Sequence, residues 1–300
     1  LFQHQLPVEA TPTSPYLNIP LQSLKNLMKR SLGLHPKSSV TPLADINYIG
    51  SGLHGYYIPE NYLTPNSVCY LVGTGEDISI DTELVIKYDC NVYVIDPAPE
   101  GINHFNLLNR KTLNGETLSI GHEKGAFTYR IKPEQLMKMK YLSVGLWDQD
   151  TLIRFYKPAN DKYVSHSIEL FKETGEYIEV PVDRLSNIMK KNGHTSIDLL
   201  KLEIEGAEYK VLETIVEDKL DVKMIAVEYD EVYHCKGFDY LYRIKKSTDN
   251  LLNNGYKLAH STDYFKRLFI QEDLFAKLQG RQEAAAKIQR TIEEELELHP

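Results

Sequence analysis

Short apolar runs alternate with helical stretches through the middle of this chain, and that alternation restricts the fold more than any other feature. Val68–Val72, Val92–Ile95, Tyr141–Leu146, Ile197–Ile204 and Val222–Val227 are rich in β-branched side chains and bounded by turn residues, the pattern of strands buried on both faces. Asp81–Tyr88, Val182–Lys191, Ala207–Val216 and Asp239–Asn254 read as helices between them. Strand and helix in turn predict an α/β protein with a mostly parallel sheet covered on both sides. Tyr256–His260 and Phe265–Ile270 follow with a link too short for a crossover helix, so this last strand pair is expected to be antiparallel. Leu152–Tyr156 and Tyr177–Pro181 read as extra strands flanking a loop, whereas residues 114–139 show no clear pattern and no internal repeat is present.

The ends differ from this middle. Four prolines within residues 1–20 indicate an extended arm, and Leu21, Leu24, Leu27, Met28 and Leu32 then recur at helical spacing as a capping helix. A basic helix lying on a membrane surface is the sharper alternative. Glu283 opens a strongly helical tail with a narrow stripe of Ala285, Ile288, Ile292 and Leu296, suited to docking on its own body or on a second copy in a homo-oligomer. The expected division is an N-terminal arm and capping helix over 1–64, a core domain over 65–275 and a C-terminal helix over 276–300.

Charge and cysteine content narrow the function. With 34 basic and 42 acidic side chains the net charge is −8, which disfavours a broad nucleic-acid surface. Cys69, Cys90 and Cys235 are too few and too scattered for a disulfide framework or thiolate zinc site, and no apolar run approaches a membrane span. A cytoplasmic location is expected; since the chain opens on Leu1, an upstream targeting segment or anchor is outside view.

In an open α/β sheet, ligands bind beyond the carboxyl ends of the strands. After Val72 comes Gly73-Thr74-Gly75-Glu76-Asp77, a glycine turn opening a helix and able to pass close beneath a ligand. Asp96 ends the next strand 21 residues beyond Gly75, the distance of a carboxylate that accepts hydrogen bonds from ribose hydroxyls. The pair suits a dinucleotide or an adenosyl ligand; Ile78 in place of the third fingerprint glycine, and the acids Glu76 and Asp77, favour a cationic sulfonium over a pyrophosphate. Leu146, Trp147 and Asp148 could form an apolar slot and polar reader for a purine. Glu203 and Glu205 share strand parity and are expected on one side of the site, with burial raising Glu203 toward the pKa of a useful base. Carboxylates at 203, 205, 228 and 230 could gather a divalent cation or pair with lysines; no metal is expected. His166, in a Ser-His-Ser loop, is the third candidate base.

Together Val72–Asp81, Val92–Pro99, Val144–Asp148, Ile197–Leu212 and Val222–Glu228 resemble the FkbM family of S-adenosylmethionine-dependent methyltransferases. Leu200-Lys-Leu-Glu-Ile-Glu-Gly-Ala-Glu-Tyr209 is similar to that family's most distinctive motif. The resemblance, over residues 65–272, implies the Rossmann-like class I methyltransferase fold, a mostly parallel seven-stranded sheet. It also implies O-methylation of a hydroxyl on a sugar, glycan or other small metabolite. By the same resemblance Gly73 and Gly75 cradle the methionine part, Asp96 the ribose, and Glu203 and Glu205 stand at the methyl-transfer end. Leu71 and Asp77 depart from the family's acid and glycine at those positions, and Glu76 or Asp77 is expected to take the ammonium contact. A non-catalytic binding or assembly module on the same fold is the alternative.

Overall fold

The computed structural model describes residues 21–52, 54–122, 125–156, 177–229, 239–262 and 265–298. Helix α1 (Leu21–Ser31) precedes a hairpin of β1 (Ile46–Ile49) and β2 (Tyr56–Pro59). Then come β3 (Val68–Val72), α2 (Ser79–Tyr88), β4 (Asn91–Ile95), α3 (Pro99–Leu113), a second hairpin of β5 (Leu118–His122) and β6 (Gly125–Tyr129), the short α4 (Pro133–Leu136) and β7 (Met139–Leu142). Strands β8 (Gly145–Leu146), β9 (Thr151–Tyr156) and β10 (Tyr177–Asp183) form a small separate sheet. The chain continues through α5 (Leu185–Lys191), β11 (Ser196–Ile197), β12 (Leu199–Leu202), α6 (Glu208–Glu217), β13 (Asp221–Val222) and β14 (Met224–Glu228). It closes with α7 (Asp239–Asn253), β15 (Tyr256–Ser261), β16 (Lys266–Gln271) and α8 (Glu272–Leu298).

Seven strands make the main sheet in the order β15-β16-β14-β12-β3-β4-β7. All neighbours run parallel except β16, which lies antiparallel between β14 and β15. This is the expected fold class, a mostly parallel sheet with an antiparallel final pair. Alternation along the strands divides the apolar side chains between two faces. Leu199, Met224 and Ala226 face α2, α3, α8 and the β1–β2 hairpin. Leu200, Leu202, Ile225 and Val227 face α5, α6 and α7. The core on the first face runs from Leu43, Ile49, Tyr56 and Ile58 to Leu274, Phe275 and Leu278, so the N-terminal hairpin and the root of α8 share it. Cys69 and Cys90 are buried in the same layer.

Four of the expected runs split, Val222–Val227 among them, at Lys223 between β13 and β14. Ile197–Ile204 breaks at Asp198, whose carboxylate accepts the Val68 N–H at 2.8 Å and the Tyr62 hydroxyl at 2.9 Å; β11 pairs with β13, while β12 pairs with β3 and β14. Tyr141–Leu146 ends as a core strand at Leu142, and Gly145–Leu146 leaves to pair with β10. Val182–Asp183 belongs to that pairing, so α5 begins only at Leu185. An apolar run does not reveal where a backbone changes partner. Of the stripe on α1, Leu27, Met28 and Leu32 are exposed, and burial resumes just past the helix at Leu34.

Candidate active site

The carboxyl ends of β3, β4 and β12 converge on the first turn. Gly73 and Gly75 both have positive φ, 74° and 50°, but their surroundings differ. A Cβ on Gly73 would stand 1.7 Å from the Glu203 carbonyl oxygen, whereas one on Gly75 would meet nothing within 4 Å. Gly73 therefore serves the close approach of two strand exits, and its own carbonyl accepts the Lys201 ammonium at 3.0 Å. Gly75 borders open space. The Asp96 carboxylate accepts the N–H of Gly75 and of Ala98, each at 2.8 Å. Burial raises its pKa, opposed by those backbone N–H groups. Beside it the Thr74 hydroxyl is buried without a hydrogen-bond partner. Glu76 is exposed.

Asp77 is engaged within the fold. Its oxygens accept the Ser51 hydroxyl at 2.6 Å and the Ser79 N–H at 2.9 Å; burial would raise its pKa, but these bonds hold it below the ordinary value. The carboxylate thus ties the β1–β2 loop to the start of α2 rather than being held out for an ammonium. Two residues into that helix, Asp81 is completely buried with neither oxygen hydrogen-bonded, and desolvation pushes it up to about 7 against the field of Lys201.

Glu203 stands just past β12 at the centre of a polar cluster under the hairpin. Its carboxylate lies 2.9 Å from His54 Nδ1, 3.3 Å from the Tyr56 hydroxyl and 3.0 Å from Lys201 Nζ. Lys266 pairs with Glu228 at 2.9 Å and lies 4.5 Å over the Tyr56 ring. Burial alone would raise the Glu203 pKa, as expected from its surroundings in sequence. The ammoniums of Lys201 and Lys266 and the His54 hydrogen bond reverse the sign and hold it well below the carboxylate range. Lys201 thus pairs with Glu203 and Lys266 with Glu228, so each of these two carboxylates has an ammonium partner.

Glu205 departs from the parity expectation. The strand ends at Leu202, and Glu205 adopts φ 53° followed by Gly206 at 103°, a left-handed turn that is costly for a side chain and typical of functional loops. Glu205 acts on the neighbouring Glu208. Glu208 is fully buried and accepts the N–H groups of Ile204 and Gly206 at 2.7 and 2.9 Å, holding the turn, while burial pushes it up to about 8. Trp147, half-buried, lies with Gly206 and Tyr209 along a groove of about 970 Å³ that continues between α6 and α7. Asp148 has one buried oxygen without a partner, and its carbonyl accepts Arg184 at 3.0 Å. Leu146 is buried in the core on the α5–α7 face, so it backs the site rather than lining an open slot.

A sequence model of the methyltransferase FkbM domain matches residues 75–258, more than half of the chain. The chain belongs to the FkbM methyltransferase family. No curated protein matches it. Among solved structures, a Methanococcus jannaschii fibrillarin pre-rRNA processing protein is 14% identical, with 77% of this chain and 85% of that one covered and a TM-score of 0.35. The METTL16 MTase domain (crystal form 2) is 9% identical, with 71% and 61% covered and a TM-score of 0.36. Likenesses of that size carry no weight for function.

In this FkbM-family chain the structure brings together Gly73, Thr74, Gly75 and Asp96, and separately Trp147 with Gly206. Glu203 stands in the His54–Lys201 cluster and Glu205 on the turn beside Glu208. His166 lies outside the described residues, as do Asp230, His234 and Cys235. Sequence reasoning missed His54, Tyr56, Ser51, Lys201, Lys266 and Asp81. Lysine inside the apolar run 199–202 was a usable signal, because a buried ammonium demands a partner; the hairpin residues carried none.

Proposed function

We infer that this methyltransferase-family chain moves a methyl group from S-adenosylmethionine to a hydroxyl on a sugar, glycan or other small hydroxylated metabolite. The observation that carries the reading is the turn at Thr74–Gly75. A buried, unpartnered hydroxyl and an open face sit beside a strand-end carboxylate that is already aligned by the Gly75 and Ala98 N–H groups. These residues fit the group: Thr74, Gly75 and Glu76 would hold its amino-acid part and Asp96, with lone pairs to spare on both oxygens, its ribose. Trp147 and the buried Asp148 oxygen would take the purine. When bound, the sulfonium supplies an activated methyl.

The chain's own part is placement. A hydroxyl must be held about 3 Å from the methyl carbon and in line with the bond that breaks, and fixing that approach supplies much of the rate. The Glu205–Gly206 turn is held by Glu208 and the hairpin by Ser51, and both adjoin the strand exits. Glu203, Glu205 and His166 remain the residues proposed around the reacting hydroxyl. Incubation with methyl-labelled S-adenosylmethionine and a panel of glycans and small polyols tests the reading: label should appear as a methyl ether. Label on nitrogen, or tight cofactor binding with no transfer to any acceptor, would overturn it, the latter in favour of a binding module.

A further inference from the structure

A hydroxyl is a weak nucleophile and needs a base within hydrogen-bond reach as it attacks. Glu203 is poorly suited to that work, since Lys201 at 3.0 Å already shares its charge and Lys266 adds to the field. What Glu203 does instead is fix the ring of His54, which reaches the strand exits from the β1–β2 loop. An ionised carboxylate can only accept, so at 2.9 Å the His54 Nδ1 must be the donor, and in the neutral ring the basic lone pair then belongs to Nε2. The His54 side chain is 40% exposed against 15% for Glu203, so the ring is the more accessible member of the pair. Lys201 Nζ links this pair to the first turn, lying 3.0 Å from the Glu203 carboxylate and 3.0 Å from the Gly73 carbonyl. The loop that carries it is pinned: the Ser51 N–H donates to Ser79 Oγ at 2.7 Å, the Ser51 hydroxyl to Asp77, the Gly50 N–H to Glu83 at 2.6 Å, and the His54 N–H to Ser51 Oγ at 3.3 Å.

We propose that His54, oriented by Glu203, is the base that takes the proton of the acceptor hydroxyl, making the N-terminal hairpin part of the active site. The proposal rests on the reading of the chain as an O-methyltransferase. The acceptor O–H bond breaks as its oxygen bonds the methyl carbon; the proton goes to His54 Nε2, and the electron pair of the broken sulfur–carbon bond stays on sulfur. A sulfonium, an alcohol and a neutral imidazole become a thioether, an ether and an imidazolium, with charge conserved. Glu203 is a positioning residue in this scheme. Among the described residues, Glu203 just past β12, Lys201 in β12 and Asp77 in the β3–α2 loop act on the ring, while Tyr56 and Lys266 act on Glu203. Desolvation lowers the His54 pKa, but the Glu203 hydrogen bond and charge outweigh it and leave it raised above 6.5.

The test pairs transfer with titration. His54→Ala should lower turnover by about 100-fold or more while S-adenosylhomocysteine affinity stays within about twofold, and added imidazole should restore part of the rate. In the wild-type chain, without cofactor, the His54 ring proton followed by NMR should titrate above 6.5. Glu203→Gln, or Glu203→Asp if the glutamine leaves the two lysines too poorly matched to fold, should move that midpoint downward and shift the acidic limb of the turnover profile with it. Turnover of His54→Ala within about threefold of wild type, or a His54 titration indifferent to residue 203, overturns the proposal while leaving the methyltransferase reading intact. A wild-type chain that binds no S-adenosylhomocysteine overturns both.

Discussion

Asp81→Asn should make this protein more stable, and increasingly so as pH rises. The carboxyl sits in the first turn of α2, where a negative charge ordinarily gains from the helix dipole, yet it is completely buried with neither oxygen hydrogen-bonded. Desolvation lifts its pKa from 3.8 to about 7, with Lys201 pulling the other way. Because the folded chain holds this proton longer than the unfolded one, it binds more protons between pH 3.8 and about 7. Stability is therefore lost as pH rises through that window, and the loss is complete above it. At about 1.4 kcal/mol per tenfold, the penalty is about 2 kcal/mol at pH 5 and about 4 kcal/mol at pH 8. An asparagine cannot ionise and escapes it. Urea unfolding of wild type and variant at the two pH values, compared as a double difference, cancels every other titrating group that is not coupled to Asp81. The variant's advantage should grow by about 2–3 kcal/mol from pH 5 to pH 8. An advantage that is the same at both pH values, or a variant less stable at pH 8, would refute the view that this acid is buried without partners.

The two glycines of the first turn should separate stability from binding. Gly73→Ala drives a methyl into the Glu203 carbonyl and should cost about 3 kcal/mol or more in chemical denaturation, the sum of left-handed strain and overpacking. Gly75→Ala meets nothing, so it should cost about 1 kcal/mol yet weaken S-adenosylhomocysteine binding at least tenfold by calorimetry. Glu208→Ala strands the Ile204 and Gly206 N–H groups and should cost about 2–3 kcal/mol, with faster amide exchange confined to residues 203–206.

The parts of this fold that periodicity can express were legible in the residues. Val68–Val72 is a strand with those limits, and the glycine turn and Asp96 were paired by spacing and are joined by a hydrogen bond. What was hidden involves partners. Asp198 ends one pairing and begins another through contacts with Val68 and Tyr62, which are 130 and 136 residues away and which no local pattern encodes. Helix α3 buries only Gly101, His104, Phe105, Leu108 and Thr112, too thin a stripe to stand out. His54 and Glu203 are 149 residues apart, and the hairpin carrying His54 has no motif of its own. The sign of the Glu203 pKa depended on Lys201 and Lys266, one visible two residues away and the other brought in by the antiparallel strand β16. Parity placed Glu205 beside Glu203 only on the premise that the strand continued, and it stops at Leu202.

Calorimetric titration of S-adenosylhomocysteine into the wild-type chain and into Asp96→Ala tests the central claim most directly. The wild-type chain should bind one equivalent in the micromolar range, and Asp96→Ala should lose at least tenfold in affinity, the loss of a charge-assisted contact to the ribose. No binding by a folded wild-type chain, or equal affinity in the two proteins, would contradict the placement of a cofactor at the Thr74–Asp96 end of the sheet.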